Sequence, residues 1–160
     1  MIQVKDVLKS FDGNVVLDHI SADFEDGKVN MIIGQSGSGK TVLMKSMIGL
    51  HQIDSGEIIF DTRNGQQNLA GMSEKEMRML HREVGMLFQG SALFDSMTVQ
   101  ENVMYPLEMF SDMSNQEMVE RARFCLERVN MPERAFGLMP SEISGGMQKR
   151  VAIARAIALN

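Results

Sequence analysis

The spacing of hydrophobic residues along the chain predicts a series of short β-strands. Apolar residues either alternate with polar ones, as at Ile20 and Ala22, or cluster in short runs such as 28–33. Alternation is typical of a strand with one buried face, and a short apolar run between glycines is typical of a strand buried on both faces. The predicted strands cover residues 4–8, 14–24, 28–33, 57–61 and 84–88.

Helical spacing and capping residues predict five helices. Between residues 39 and 50 the apolar side chains recur at the helical period. Three hydroxyl residues are each followed three positions later by glutamate, the pattern of a capping box, and they predict helix starts near residues 74, 99 and 115. A last helix is predicted over about 145–159, and the polar stretch 62–71 predicts a surface loop. The capping pairs are Ser73 with Glu76, Thr98 with Glu101, and Ser114 with Glu117.

Length, composition and charge indicate one globular domain. The 160 residues are 44% hydrophobic and 23% charged, with a formal net charge of −5, which is typical of a folded chain and gives no support to nucleic-acid binding. The apolar runs are too short to span a bilayer, and the first residues lack the features of a secretory signal. Cys125 is the one cysteine, which excludes an internal disulfide and indicates a reducing, cytoplasmic compartment.

The segment GQSGSGKT at residues 34–41, called the phosphate loop below, has the full pattern G-x-x-x-x-G-K-[ST] between a predicted strand and a predicted helix. Glycines let backbone N–H groups point at phosphate oxygens, Lys40 supplies a positive charge, and the Thr41 hydroxyl can ligate Mg²⁺. The pattern predicts nucleotide binding but leaves the class of NTPase open. The predicted binding residues are Gly34, Gln35, Ser36, Gly37, Ser38, Gly39, Lys40 and Thr41.

A second segment, ISGGMQ at residues 143–148, narrows the class and is called the signature segment below. It resembles the LSGGQ signature of ATP-binding cassette (ABC) ATPases, with Ile143 in place of leucine and Met147 in place of the first glutamine. Ser144 can cap a helix, and two glycines permit close approach to a phosphate. In that family the signature contacts the γ-phosphate bound to the opposite subunit, so the resemblance implies a homodimer in the ATP-bound state. It also implies that Ser144, Gly145, Gly146 and Met147 bind the partner's nucleotide.

Further residues match landmarks of the ABC family. Gln89 follows a predicted strand and resembles the Q-loop glutamine, which touches Mg²⁺ and senses the membrane subunit. Phe11, followed by Val16, resembles the aromatic loop that stacks on adenine, although plain core packing is the alternative for Phe11. By this resemblance Phe11 and Val16 would both contact the nucleotide. By this resemblance the cofactors are ATP and Mg²⁺, the catalytic residues are Lys40 and Gln89, and the metal ligands are Thr41 and Gln89.

The resemblance covers the whole chain and implies a fold. It is the α/β P-loop NTPase core of ABC-type ATPases with a helical subdomain, incomplete at its C-terminus. Residues 1–95 and 148–160 would form the nucleotide-binding core, and about 96–147 the helical subdomain. The family's strand that ends in Asp-Glu and carries the general-base glutamate does not occur in this sequence. The chain is therefore expected to be truncated, and its 160 residues alone to bind ATP weakly and hydrolyse little.

Within the family, several short sequence segments of this chain most resemble the ATPase of Mla-type phospholipid transporters. These segments are GMLFQGSALF at 85–94, ENV at 101–103, YPL at 105–107 and LMPSE at 138–142, together with Met147. The nearest alternative is the ATPase of a solute importer, for example for amino acids. The others are a non-hydrolysing nucleotide-binding module, if the chain truly ends at Asn160, and an ABC ATPase without a transport role.

A transport ATPase implies partners and a location. The partners would be membrane-embedded permease subunits and a second ATPase domain, with no nucleic acid and no membrane contact except through the partners. The location would be cytoplasmic, at the inner face of the cell membrane. Residues 89–107 would hold the groove for a coupling helix of the permease. The candidates to line that groove, which otherwise pack inside the helical lobe, are Phe94, Met97, Val103, Met104 and Met109.

Overall fold

The computed structural model describes residues 1–62 and 65–159, except for the side chain of residue 62. The chain forms two compact units, Met1–His81 and Arg82–Asn160. The first unit holds the described strands and the second holds most of the helices. The predicted division into a core of residues 1–95 with 148–160 and a helical subdomain of about 96–147 stays a prediction.

The first unit is built on a four-stranded antiparallel sheet in the order β2-β1-β3-β4. Both edges of β1 are paired, since Val4 lies opposite Ala22 on one side and Ile58 on the other. Val4, Leu17 and Ile58 are buried, so the apolar alternation supplies the sheet with one buried face. The strands are β1 (Ile2–Phe11), β2 (Asn14–Phe24), β3 (Ser55–Thr62) and β4 (Gly65–Asn68).

The two helices that start in the first unit confirm their predictions. α1 is shorter than the predicted helix because Gly49 adopts a left-handed φ of 74° just beyond its end, the usual way to close a helix. α2 begins after Ser73, whose N–H and hydroxyl both donate to the Glu76 carboxylate, at 2.8 and 2.6 Å, as the capping pair predicts. The helices are α1 (Lys40–Met47) and α2 (Glu74–Glu83).

Two of the five predicted strands are wrong. Segments 28–33 and 84–88 are irregular, and the side chains of Val29 and Ile33 are 94% and 82% exposed. An extended segment becomes a strand only when a neighbouring strand pairs with its N–H and C=O groups. Within the described part of the chain, no strand pairs with either segment.

The predicted surface loop at 62–71 is also wrong for most of its length. β4 extends the sheet there, and a 3₁₀ turn follows at Leu69–Gly71. The turn forms because the Asn68 side chain caps it and Leu69 is buried. Residues 63 and 64 of that prediction lie outside the described residues.

The second unit is a cluster of three helices around one apolar core. Leu107, Leu126 and Val151, one from each helix, are fully buried in that core. No helix among residues 1–62 and 65–159 is long and apolar enough to cross a bilayer. The helices are α3 (Val99–Phe110), α4 (Asn115–Arg128) and α5 (Gly145–Ala156), and 3₁₀ turns at Glu133–Ala135 and Pro140–Glu142 connect the last two.

α3 and α4 begin at the residues that the capping boxes predict. The Thr98 hydroxyl accepts a hydrogen bond from the N–H of Glu101 at 3.2 Å, and the Glu101 carboxylate accepts from the N–H of Thr98 at 2.7 Å. Ser114 and Glu117 make the same pair at 3.4 and 2.7 Å. These hydrogen bonds lower the pKa of both glutamates, because they stabilise the ionised carboxyl.

Candidate functional site

The phosphate loop curls back on itself directly before α1. Gly37 and Gly39 adopt left-handed φ angles of 82° and 85°, which only glycine reaches at little energetic cost. The Lys40 ammonium donates to the carbonyl oxygens of Gly34 at 2.8 Å and Gln35 at 2.6 Å. The positive charge therefore lies across the loop, where the motif predicts a phosphate.

The start of α1 leaves hydrogen-bond donors for a ligand. Its N-cap residue is Gly39, which has no side chain to bond the first N–H groups of the helix. Uncapped N–H groups at a helix N-terminus attract anions. Thr41 lies in the first turn with an exposed side chain, as a Mg²⁺-binding hydroxyl requires. The N–H groups of the helix N-terminus and the Lys40 ammonium can donate hydrogen bonds to phosphate oxygens, and the Thr41 hydroxyl can ligate Mg²⁺. Together these groups fit a nucleotide with Mg²⁺.

Val16, predicted to contact the nucleotide, lies against the phosphate loop. A Cβ atom built on Gly39 would come within 2.8 Å of the Val16 carbonyl oxygen and 3.1 Å of the Leu17 side chain. A larger residue at position 39 would displace β2, so this glycine is required by packing as well as by its φ angle. The structure thus brings β2 next to the loop that Lys40 crosses.

Phe11, predicted to stack on adenine, ends β1 at the turn into β2. Its side chain is 39% exposed. The ring packs edge-on against the ring of His51 at a centroid distance of 5.5 Å, and the Lys9 ammonium lies 5.0 Å from its centroid. Part of the ring is therefore open to a base, and its stacking role stays a prediction.

Asp54 holds the end of β1 that carries Phe11. Its carboxylate accepts hydrogen bonds from the Lys9 ammonium at 2.8 Å and from both the N–H and the hydroxyl of Ser10 at 2.6 Å. These bonds, the one from Lys9 first, lower the pKa of Asp54 to about 2. Sequence reasoning missed Asp54, because these groups come together only when β3 pairs with β1.

We expect Asp54→Asn to lower the melting temperature at neutral pH. The pKa of Asp54 is about 2 in the folded protein against an ordinary 3.8, so ionisation favours the folded state above pH about 4 and this advantage is lost as the pH falls through about 2. The difference in melting temperature between wild type and variant should therefore stay constant down to pH about 4 and shrink toward pH about 2. Thermal unfolding followed by circular dichroism measures it.

The control for this prediction is Asp18→Asn, at an exposed position of β2. It should unfold at the wild-type temperature throughout the pH range. A difference between Asp54→Asn and wild type that grows on acidification would contradict the role given to the Asp54 carboxylate.

The signature segment forms the start of α5. Ser144 is the N-cap, and its hydroxyl accepts a hydrogen bond from the N–H of Met147 at 3.3 Å. Gly145 and Gly146 occupy the first turn, and a Cβ atom on Gly145 would meet no described atom within 4 Å. Packing inside the chain therefore does not require glycine at this position. Close approach by a group of another molecule would require glycine at this position.

Gln89 lies in an exposed turn rather than at the end of a strand. The three residues after it, Gly90, Ser91 and Ala92, have left-handed φ angles of 81°, 68° and 46°. Such angles cost roughly 1–3 kcal/mol at each non-glycine residue and persist only where surrounding contacts hold them. The loop after Gln89 is therefore a constrained element, which no sequence pattern predicted.

Asn102 secures the chain that follows this loop, and sequence reasoning missed it too. It is fully buried on α3. Its side-chain oxygen accepts a hydrogen bond from the N–H of Phe94 at 2.8 Å. Its side-chain NH₂ donates to the carbonyl oxygens of Phe94 at 3.1 Å and of Met97 and Thr98 at 3.0 Å. The sequence did carry a signal, since Asn102 is a polar residue beside Val103 on an apolar helix face. A buried amide needs hydrogen-bond partners, so that position indicated a bonding role.

The residues predicted to line a docking groove fall into two groups. Val103 and Met104 are buried in the helical core, so they stabilise the unit. Phe94 and Met109 are 39% and 57% exposed, and Met97 is half-buried. These three remain candidates for contact with a partner.

A cavity of about 700 Å³ lies in the first unit between the end of α1, β3 and α2. Ser46 lines it, and the buried Ser46 hydroxyl has no hydrogen-bond partner among the described residues. Its described lining contains no residue of the phosphate loop, so the cavity is separate from the candidate nucleotide site.

Two curated relatives match nearly the whole chain. The methionine import ATP-binding protein MetN of Rhizobium johnstonii is 38% identical over 158 residues, which cover 99% of this chain and 42% of the relative. The intermembrane phospholipid transport system ATP-binding protein MlaF of Escherichia coli K12 is 38% identical over 159 residues, which cover 99% and 57%. The chain thus spans about half the length of the curated relatives it matches.

A solved structure shares the fold. The dimeric, post-hydrolysis state of the ATP-binding cassette MJ0796 bound to ADP and Pi superposes with a TM-score of 0.88 at 31% identity, over 100% of this chain and 70% of that one. The sequence profile of the ABC transporter family matches residues 17–160. The chain therefore belongs to the ABC transporter family and has the α/β fold of its ATP-binding cassettes.

Proposed function

We propose that this chain is the ATP-binding part of an ABC transport ATPase. The observation that carries the proposal is the Lys40 ammonium, which lies across a glycine-rich loop at the uncapped start of α1. An entering phosphate would replace the carbonyls of Gly34 and Gln35 as partners of this ammonium, and helix N–H groups would bind its oxygens. The related cassette MJ0796, solved with ADP and Pi, supports the same ligand class.

The remaining site residues would orient the nucleotide. Phe11 would stack on adenine, and the Thr41 hydroxyl and the Gln89 side-chain oxygen would hold Mg²⁺. When bound, Mg²⁺ would neutralise charge on the phosphates. Phosphoryl transfer depends chiefly on position and charge, so these residues act by holding groups in place.

The signature segment would bind ATP held by a second copy of the chain. Gly145 supports this role because it is exposed and no described atom lies within 4 Å of a Cβ placed there. The dimeric arrangement of MJ0796 supports a paired state for the cassette.

We expect Gly145→Asp to retain ATP binding and to lose ATP-dependent dimerisation, because a carboxylate there would repel the partner's phosphate. Hydrolysis should fall by at least about a hundredfold, as when a positioned transition-state contact is lost. Light scattering with and without Mg-ATP, together with steady-state hydrolysis by the natural full-length chain, measures both effects.

Gly137→Asp is the matched control, since a Cβ atom there also meets no described atom within 4 Å. This variant should dimerise and hydrolyse ATP normally. If Gly145→Asp dimerised with ATP as the wild type does, the role proposed for the signature segment would be wrong.

For the transported molecule we propose a phospholipid, moved across the cell envelope. Support comes from the resemblance of residues 85–94 and 138–142 and of Met147 to Mla-type ATPases. A methionine or other solute importer is the second candidate, since MetN and MlaF relatives are equally similar at 38% identity. The proposed partners are membrane-embedded permease subunits and a second copy of the ATPase, with the protein at the cytoplasmic face of the membrane.

Reconstitution of the full-length chain with its membrane partner separates the two substrates. If the protein is part of a phospholipid transporter, fluorescent phospholipid should move between the reconstituted vesicles and acceptor vesicles only when ATP is present. Labelled methionine should not accumulate in the vesicles. ATP-dependent methionine accumulation with no lipid transfer would replace the lipid proposal. That residues 1–160 alone hydrolyse little ATP also stays a prediction.

A further inference from the structure

Arg155, in the last turn of α5, reaches the strained loop that follows Gln89. Its Nη2 atom donates to the Ser91 carbonyl oxygen at 3.0 Å, and its guanidinium carbon lies 5.7 Å from the centroid of the Phe94 ring. Burial lowers the pKa of Arg155, although arginine keeps its proton. The charged guanidinium of Arg155 is therefore partly buried where it contacts this loop.

Ser91 is held at both of its backbone groups. Its N–H donates to the Phe88 carbonyl at 3.1 Å, and its carbonyl accepts from Arg155. Its φ of 68° and the φ of 46° at Ala92 are sparsely populated angles that need support from outside the loop. Arg155 donates such a hydrogen bond from α5, outside the loop.

A second contact ties the same segment to the end of α5. A Cβ atom on Gly85 would lie 2.3 Å from the Ala156 carbonyl oxygen, so the backbone before Gln89 packs directly on the last turn of that helix. The end of α5 therefore lies close to the segment on both sides of Gln89, with Ala156 next to Gly85 and Arg155 bonded to Ser91.

We propose that Arg155 is a positioning residue that sets the conformation of the loop carrying Gln89. The proposal depends on the proposed function in one respect, the contact between Gln89 and Mg²⁺. Because Ser144 caps the start of α5 and Arg155 lies roughly 17 Å further along the helix, one rigid element joins the signature segment to the Gln89 loop.

The test compares three variants of the natural full-length chain. Arg155→Met removes the guanidinium and its hydrogen bond but keeps an unbranched apolar side chain, and Arg155→Lys keeps a charged donor. Arg150→Met is the matched control, because Arg150 lies on the same helix and also donates to a backbone carbonyl, that of Asn130 at 2.7 Å. The measurements are amide hydrogen exchange at residues 89–93 without nucleotide, the Mg²⁺ concentration for half-maximal ATP hydrolysis, and the melting temperature.

We expect Arg155→Met to accelerate exchange at residues 89–93 by about tenfold, the factor for one lost hydrogen bond from a charged donor, and to raise the Mg²⁺ requirement several-fold. Arg155→Lys should restore part of both effects, and Arg150→Met should show neither at a similar melting temperature. Unchanged exchange in Arg155→Met overturns the proposal, and so does equal acceleration in Arg150→Met.

A separate variant distinguishes failure of this inference from failure of the proposed function. If Gln89→Ala raises the Mg²⁺ requirement and Arg155→Met does not, the positioning role is overturned. If Gln89→Ala has no effect either, the metal contact proposed for Gln89 is wrong, and exchange at residues 89–93 still decides whether Arg155 shapes the loop.

Discussion

Replacing Lys40 with alanine is expected to reduce ATP hydrolysis by about 10²–10³-fold, the usual loss when one hydrogen-bond donor to the transition state is removed. The only described hydrogen bonds of its ammonium are to atoms of the phosphate loop itself, and they are solvent-exposed. The folded state should therefore lose little stability. Steady-state hydrolysis and nucleotide binding by the natural full-length chain, together with its melting temperature, separate the two effects.

Lys45→Ala is the matched control, because Lys45 lies in the last turn of the same helix. It should hydrolyse ATP at close to the wild-type rate. Comparable losses of activity in both variants would indicate that α1 needs lysines for stability, and the site proposed around Lys40 would lose its main support.

Leu107→Ala is expected to cause a large loss of stability in the helical unit, about 2–5 kcal/mol. Leu107 is fully buried in the core that α3, α4 and α5 share. Its truncation removes apolar contacts and leaves a cavity that the neighbouring helices fill only in part. Since domains are stable by only about 5–15 kcal/mol, the variant should unfold at a markedly lower denaturant concentration.

Met109→Ala tests whether burial is the cause. Met109 lies two positions further along the same helix and is 57% exposed, so its truncation should change the free energy of unfolding by no more than about 0.5 kcal/mol. If the two variants had similar unfolding midpoints, Leu107 would not belong to a closely packed core.

Local patterns predicted the helices well. The Thr98 and Ser114 capping boxes place the starts of α3 and α4 at the predicted residues, because both partners lie within one helical turn of each other. The same holds for Ser144 at the start of α5. The phosphate loop could also be found from sequence, since its glycines, Lys40 and Thr41 lie within eight consecutive residues.

Patterns that depend on distant partners predicted less well, since three of the five predicted strands form and two do not. Residues 28–33 and 84–88 are apolar enough for buried strands, but a strand needs a paired neighbour that apolar spacing does not specify. β4 formed at 65–68, where polarity predicted a loop, because β3 offers its edge there. Hydrophobic spacing shows what can be buried, and pairing decides what becomes a strand.

The residue order alone thus specified the elements whose chemistry is local: the glycine loop with its lysine, the capped helix starts, and the serine with two glycines that begins α5. Only the tertiary structure decided that Asp54 anchors the end of β1, that Asn102 is a buried hydrogen-bonding centre, and that Arg155 supports the loop after Gln89. The physical reason for Asp54 and Arg155 is range, since their hydrogen-bond partners lie 44 to 64 positions away in the chain and only folding brings them together. The partners of Asn102 lie within 8 positions, but they belong to an irregular loop whose path no local pattern specifies.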